Sequence, residues 1–415
     1  MTGVASGHAA LVFFASPIAR REAIEASEAW VRRELGPWLE AGIDASGRPA
    51  APTATVPIAA VLTGGTEAQV LKWAEASTGP VILLALPHSN SLPACLEILA
   101  SLTQLGRGGR IVVADRGDWK RALAAAADLV ALGAFLRRSR IGLFGGPSDW
   151  LTASSPDPSL VTEVWGPEVV TIPLSEVVAR AARQGDADAR LAAEIERASA
   201  GTVEPDGATL LGAASLYLAL RDLASEHRLD ALTIRCFDLL GELRNTGCLA
   251  VSRLNDEGLT AACEGDLPSL LTMMVLGGVS GQPCFMANPS DVAVDEGLIT
   301  FAHCTIPLRL VRTFRLRSHF ESGIGAAVEG TIAAREMTVA RIGGPGLRSV
   351  RAFAGEVVPE ESRPRRGDLC RTQVTLRVSP VEARLLLDLP LGNHHILTPG
   401  RHAQAFLDYD RIARS

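Results

Sequence analysis

The stretch Ala261-Ala262-Cys263-Glu264-Gly265-Asp266-Leu267-Pro268-Ser269 constrains the fold more than any other part of the chain. The apolar run Leu259 to Cys263 reads as a buried strand that ends on an acidic residue. A helix follows at once. Asp266 is placed to cap it, Pro268 falls in its first turn, and Leu270, Leu271, Met274 and Val275 make one apolar stripe. Glu264 therefore stands at the carboxyl end of a strand, where open α/β sheets keep their ligand sites. A carboxylate there can bind a metal or move a proton, or it can simply be satisfied by the backbone amides of the turn.

The alternation extends in both directions. Residues 1–155 carry strand patterns at Ala9 to Ala15, Pro57 to Thr63, Val81 to Leu86, Arg110 to Ala114 and Arg140 to Phe144, separated by helical periodicity. Residues 156–282 add strands at Val169 to Ile172 and Ala231 to Phe237, helices between about 174 and 226, and the Glu264 turn. Strands at helix-long intervals make parallel sheets. The segment Ala45 to Thr55 reads as a loop. After Pro283 the texture changes to short β runs punctuated by Gly and Pro, at Leu298 to Cys304, Val311 to Phe320, Thr338 to Ile342, Ser349 to Phe353, Thr372 to Val378 and Ala383 to Leu389, with a helix near Ala403 to Ile412. The expected class is α/β: two flavodoxin- or Rossmann-like parallel-sheet domains (1–155 and 156–282), then a β-rich, barrel-like C-terminal domain (283–415). No G-x-G-x-x-G follows a strand and no P-loop motif occurs, so the nucleotide-binding readings lose their main support.

Composition narrows the function classes. The chain has 415 residues, 47% of them hydrophobic, which is enough for two or three buried cores. The net charge is −6 and the basic clusters are short (Arg137 to Arg140, Arg363 to Arg366), which argues against a nucleic-acid partner. No stretch is long and apolar enough to span a bilayer; Ala122 to Leu136 is interrupted by Asp128 and is too short, so no membrane partner is expected. The run Ala9 to Ala15 has no charged start before it and does not read as a signal peptide. The seven cysteines are scattered and none forms a C-x-x-C pair. They read as reduced thiols of a cytoplasmic protein rather than as a zinc site.

Several polar residues stand where a site could form. Asn288 precedes Pro289 at the end of an apolar strand, so it either starts a turn or faces the same cleft as Glu264; Asp291 has a similar position. His303 sits inside an apolar run, as a core residue or a ligand. His394 and His395 are adjacent, and in extended chain only one of them can face a given site. His319 and Glu321 end a strand before a Gly turn. His88 and Asn90 lie at a strand end, for hydroxyl recognition or for capping the next helix. Arg371 can bind an anion or pair with a carboxylate. Carboxylate, amide and imidazoles together suit a hard or borderline divalent cation.

The set Gly64-Gly65-Thr66-Glu67, His88-Ser89-Asn90-Ser91, Ser148-Asp149-Trp150-Leu151, Cys263-Glu264-Gly265-Asp266, Phe285-Met286-Ala287-Asn288-Pro289, His303-Cys304 and Gly392-Asn393-His394-His395 resembles the L-fucose isomerase / L-arabinose isomerase superfamily, and most closely its short fucose isomerase-like proteins. The resemblance implies a Mn²⁺-dependent aldose–ketose isomerase working through a cis-enediol on a sugar or sugar acid. It also implies a homo-oligomer, trimer or hexamer, with a neighbouring subunit completing the site. Under it, Glu264 and Asn288 hold catalytic positions, and Glu264, Asn288 and one of His394 and His395 hold the metal. His88, Asn90, His303, His319 and Arg371 become substrate-binding candidates. Asn288 departs from the family's pattern, which has an aspartate there, and an amide is no general base. The same fold could instead run an epimerase or lyase reaction on a polyol-like substrate, or serve as a non-catalytic sugar-binding protein.

Overall fold

A computed structural model of the protein describes residues 9–41, 56–75, 79–115 and 117–413; the loop expected at Ala45 to Thr55 lies outside them. The chain divides into two compact units, Thr2–Leu136 with Leu407–Ser415, and Arg137–Phe406.

In the first unit β1 (Ala9–Phe14), β2 (Val56–Val61), β3 (Val81–Ala85) and β4 (Gly109–Val113) form one parallel sheet in that order. Every residue of β3, Val-Ile-Leu-Leu-Ala, is buried, as a parallel strand covered on both faces requires. The helix Ser91–Gln104 lays Ala94, Cys95, Ile98 and Leu102 onto the core made by Val61, Leu83 and Ala85. The C-terminal helix runs over Ala403–Ala413, and its residues from Leu407 onward belong to this unit.

The second unit begins with a parallel sheet of β5 (Arg140–Phe144), β6 (Glu168–Ile172), β7 (Ala231–Ile234) and β8 (Thr260–Cys263), in the order β6-β5-β7-β8. β5, expected with the strands of the first sheet, lies between β6 and β7. Asp230, just ahead of β7, fixes that pairing: its carboxylate accepts the Arg140 N–H at 2.9 Å, and its own N–H donates to the Arg140 carbonyl at 2.8 Å. The strand order reverses between β5 and β7. That is a topological switch point, where loops leaving the carboxyl ends splay apart and open a crevice.

The strand-rich part is a closed antiparallel barrel of β9 (Phe285–Ala293), β10 (Leu298–His303), β13 (Glu336–Gly343), β14 (Ser349–Val357), β15 (Thr372–Arg377) and β16 (His395–Pro399), in the order β10-β15-β14-β13-β16-β9. A separate two-stranded ladder, β11 (Val311–Arg317) with β12 (Ala327–Ile332), packs against it, with Phe314, Leu316, Val328 and Ile332 in the same core. Phe285, Phe301, Met337, Val339, Leu376 and Leu397 pack into one core. The α/β and barrel-rich class read from the sequence is the architecture found.

Two local expectations change. Ala383 to Leu389 is not a strand: Ala383 to Asp388 belong to the helix Pro380–Asp388 and Leu389 caps its end, because the Ser379 side chain accepts from the Glu382 N–H and Pro380 fits the first turn. Asn288-Pro289 is not a turn. β9 runs through it, and its pairing with β10 shifts register, with Phe301 opposite Pro289 and Thr300 opposite Asp291. That leaves Ser290 as the extra residue of a bulge, one of the few places inside a sheet that tolerates proline.

Candidate active site

Three loops leave the carboxyl ends of β5, β7 and β8 and meet beside the barrel. Glu264 follows β8 directly, with a left-handed backbone (φ 64°), and Gly265 continues the turn (φ 72°). The backbone of Gly146, in the loop after β5, lies so close that a Cβ on Gly265 would come within 2.2 Å of the Gly146 carbonyl oxygen, so only glycine fits. Ser148 N–H donates to the Glu264 carbonyl at 2.8 Å and ties the two loops together. A non-glycine residue in this conformation stores about 1–3 kcal/mol, and such strain gathers at functional sites.

Both Glu264 oxygens are engaged. Trp150 Nε1, from the loop after β5, donates to Oε2 at 2.6 Å. Oε1 faces His394 Nε2 at 3.4 Å and His303 Nε2 at 3.9 Å. The donor atoms of Glu264, His303 and His394 lie within 4.8 Å of one another; among the described residues no other group of three His, Cys, Asp or Glu side chains converges so closely. All three are buried.

The imidazoles are held from behind. His303 Nδ1 is 2.9 Å from Thr305 Oγ1. His394 Nδ1 is 2.9 Å from Asp266 Oδ2. Asp266 accepts the Ser269 N–H at 2.7 Å as the cap of the helix Leu267–Ser280, as its sequence position implied. It is itself gripped by Arg341 from β13, Nη1 to Oδ2 3.3 Å, in a pair sealed from solvent (1% and 0% exposed). Arg341 also donates to Ser154 Oγ at 2.6 Å and to Ser269 Oγ. Gly392 lies flat against this guanidinium, where a Cβ would meet Nη2 at 2.5 Å. With Nδ1 on Asp266, His394 Nε2 is left buried without a hydrogen bond, aimed at Glu264. A metal-bound imidazole commonly shows this arrangement, one nitrogen on a carboxylate and the other free for the ion.

The charges follow. Burial opposes ionisation of Glu264, but the imidazoles of His303 and His394 outweigh it and hold the carboxyl well below its usual range. Burial likewise works against the charged form of His394, yet Asp266 and Glu264 raise it to about 9. His395 is the reverse case: burial, then the nearby Arg341 charge, push it down to about 3. The sign for metal-free stability is opposite for the two. His394 contributes stability that is complete below its ordinary 6.5 and is lost as pH rises through about 9. His395 folds uncharged, so stability is lost as pH falls from 6.5 towards 3. The chelator-treated protein should therefore show its highest urea midpoint near pH 6.5, with His394→Gln flattening the alkaline limb and His395→Gln the acid limb.

A cavity opens on Glu264 and His303, with His394 buried behind them. Its wall holds Glu264, Asn288, His303, His319 and Glu321, together with Phe237, Thr246 and five of the seven cysteines, Cys236, Cys248, Cys263, Cys304 and Cys370. All seven cysteines are free thiols. Phe237 stands edge-on to both Trp150 (4.9 Å) and His319 (5.1 Å), so three rings run from the exposed Trp150 to the cavity wall. The other candidates lie elsewhere. His395 packs against Phe301. Arg371 is spent on Ser318, through its carbonyl at 2.9 Å and its hydroxyl at 3.1 Å, and stacks on Phe320. Asp291 pairs with Arg363 at 2.6 Å. His88 and Asn90 are exposed residues after β3 in the first unit.

Sequence reasoning gave no role to Trp150, Phe237 or Arg341. An arginine inside the apolar strand Thr338 to Ile342 was the available signal, since a buried guanidinium needs an anion. Trp150→Phe keeps a ring but removes the donor to a buried carboxylate. Hydrogen bonds to charged groups contribute about 1.5–3 kcal/mol, so Mn²⁺ affinity measured by calorimetry should fall about 10–100-fold.

No family model matches the chain. Curated relatives do. A protein of Alkalicoccus urumqiensis named sulfoquinovose isomerase is 28% identical over 232 residues, covering 54% of this chain and 52% of that protein. Another sulfoquinovose isomerase, of Clostridium sp. (strain MSTE9), is 27% identical over 168 residues, 39% of this chain and 37% of its own length. The chain thus spans about half the length, or less, of the curated relatives it matches. No helix among the described residues is long and apolar enough to cross a membrane.

Proposed function

We propose that this protein is a divalent-cation-dependent aldose–ketose isomerase acting on an open-chain sugar or sugar acid. The observation that carries the reading is the convergence of Glu264, His303 and His394, with His394 Nε2 buried and lacking a hydrogen bond. That orphaned nitrogen, a carboxylate oxygen and a second imidazole are a fitting donor set for a cation. Oxygen and imidazole ligands favour Mn²⁺ or a similar ion over a thiolate-held one. Such an ion polarises the adjacent C1 and C2 oxygens of a sugar.

The chain's own residues supply the rest. Glu264 and the two histidines would hold the cation, and Asn288, on the cavity wall with Glu264 and His303, would offer a further oxygen. Trp150 and Asp266 keep Glu264 and His394 in register. Sulfoquinovose, the sugar in the names of the relatives, is the first substrate to test. A trimer or hexamer, with a second subunit closing the mouth, completes the proposal, and light scattering reads the assembly directly.

The test is a panel of aldoses that includes sulfoquinovose, pentoses and 6-deoxyhexoses, incubated with Mn²⁺-loaded protein and followed by NMR. A ketose product is expected. A C2 epimer or a cleavage product would replace this reading with another metal-assisted reaction, and no change in any sugar would leave a binding protein.

A further inference from the structure

Aldose–ketose exchange moves a proton between adjacent carbons, so a group in the cavity must take it from one and give it to the other. Glu264 is badly placed for that duty. Its Oε2 accepts from Trp150 at 2.6 Å and its Oε1 faces the two imidazoles at 3.4 and 3.9 Å. Asn288 has no basic lone pair. Asp291 is bound to Arg363 and is not part of the cavity wall. Apart from the proposed ligands and the thiols, two titratable side chains remain on that wall, His319 and Glu321.

His319 and Glu321 share one tight turn. Gly323 N–H donates to the His319 carbonyl at 2.9 Å, and His319 N–H donates to the Ile324 carbonyl at 3.1 Å. His319 Nδ1 accepts the Ser322 N–H at 3.4 Å and faces Ser322 Oγ at 3.0 Å. That leaves Nε2 as the protonated nitrogen of the neutral ring, a donor rather than a base. Glu321 has no ion pair among the described residues and is exposed, so its oxygens are free to meet a substrate.

We infer that Glu321 is the proton-transferring carboxylate of this cavity. The inference rests on the isomerase reading. The Glu321 carboxylate takes the C2 proton; the C2–H electron pair becomes the C1=C2 bond and the carbonyl pair moves onto O1. The glutamic acid so formed returns the proton to C1. The C2 hydroxyl becomes the carbonyl as its proton passes to O1, so atoms and charge balance without an outside oxidant or reductant. His319 stands beside this path as a hydrogen-bond donor to the sugar oxygens.

The experiment uses the whole 415-residue chain loaded with Mn²⁺ and the aldose that the wild type converts, labelled with deuterium at C2. It reads the rate at which label leaves C2, to C1 or to water, together with Mn²⁺ affinity. Glu321→Gln should slow label movement about 10²–10⁴-fold with Mn²⁺ affinity unchanged. Glu321→Asp should recover part of the rate, and Asp291→Asn should match the wild type. Label movement within threefold of wild type in Glu321→Gln would overturn the inference, as would joint loss of label movement and Mn²⁺ binding. A wild type that moves label from no aldose overturns the isomerase reading itself, and this inference with it.

Discussion

Glu264→Gln protein, purified and titrated with Mn²⁺, is expected to bind the ion at least 10²-fold more weakly than wild type while melting as a folded protein. The substitution keeps the side chain's size and one carbonyl oxygen, so the turn at Gly265 is undisturbed. It removes the only anion among the three converging donors. His303 and His394 then face an amide, and the charge that offsets a buried divalent ion falls by one. Turnover should drop by at least the same factor, because a residue that holds the cation is not bypassed by excess substrate. Equal metal content in wild type and variant would remove Glu264 from the ligand set.

Asp266→Asn should have the largest effect on stability. Asparagine caps a helix about as well as aspartate, so the helix Leu267–Ser280 keeps its cap. What is lost is the anion between Arg341 and His394, both buried. Removing one partner of a buried ion pair costs about 3–5 kcal/mol, because the other charge stays buried and unpaired. The melting temperature should fall on the order of 10 °C. Pairing the change with Arg341→Met should restore much of that loss, since an apolar residue replaces the stranded guanidinium. It should not restore Mn²⁺ affinity, because His394 still lacks the carboxylate that orients Nε2. Recovery of both properties together would mean that Asp266 acts only through Arg341.

The parts of this protein that were legible in its sequence are those set by local chemistry. The strand–Glu–Gly–Asp–helix run is one, because apolar periodicity, an N-cap and a first-turn proline all agree at Asp266 to Ser269. The change to short β runs after Pro283 is another. The allocation of β5 was not legible, because strand partners are chosen by contacts between distant segments, here Asp230 on Arg140. Nor was the bulge at Ser290, which turns an Asn-Pro that reads as a turn into strand.

The site divides in the same way. Glu264, His303, His319 and His394 were visible as residue types in telling places, and alternation along a strand foretold that His394 and His395 would part. Which of the two faces Glu264 depends on β16 pairing with β9, a partner over a hundred positions away in sequence; His395 stands opposite Ala287. Trp150 stood in one of the motifs of the resemblance, but its role was not legible, because it depends on one indole N–H reaching a carboxylate 114 residues distant.

The most direct test of the proposed metal centre is pulsed electron paramagnetic resonance on Mn²⁺-loaded protein with ¹⁵N-labelled histidine. Hyperfine coupling to two imidazole nitrogens is expected, with one lost in His303→Ala, the other lost in His394→Ala, and both unaffected in His395→Gln. Bound Mn²⁺ that shows no imidazole coupling, or coupling that persists when His303 and His394 are both replaced, would contradict the proposed metal centre.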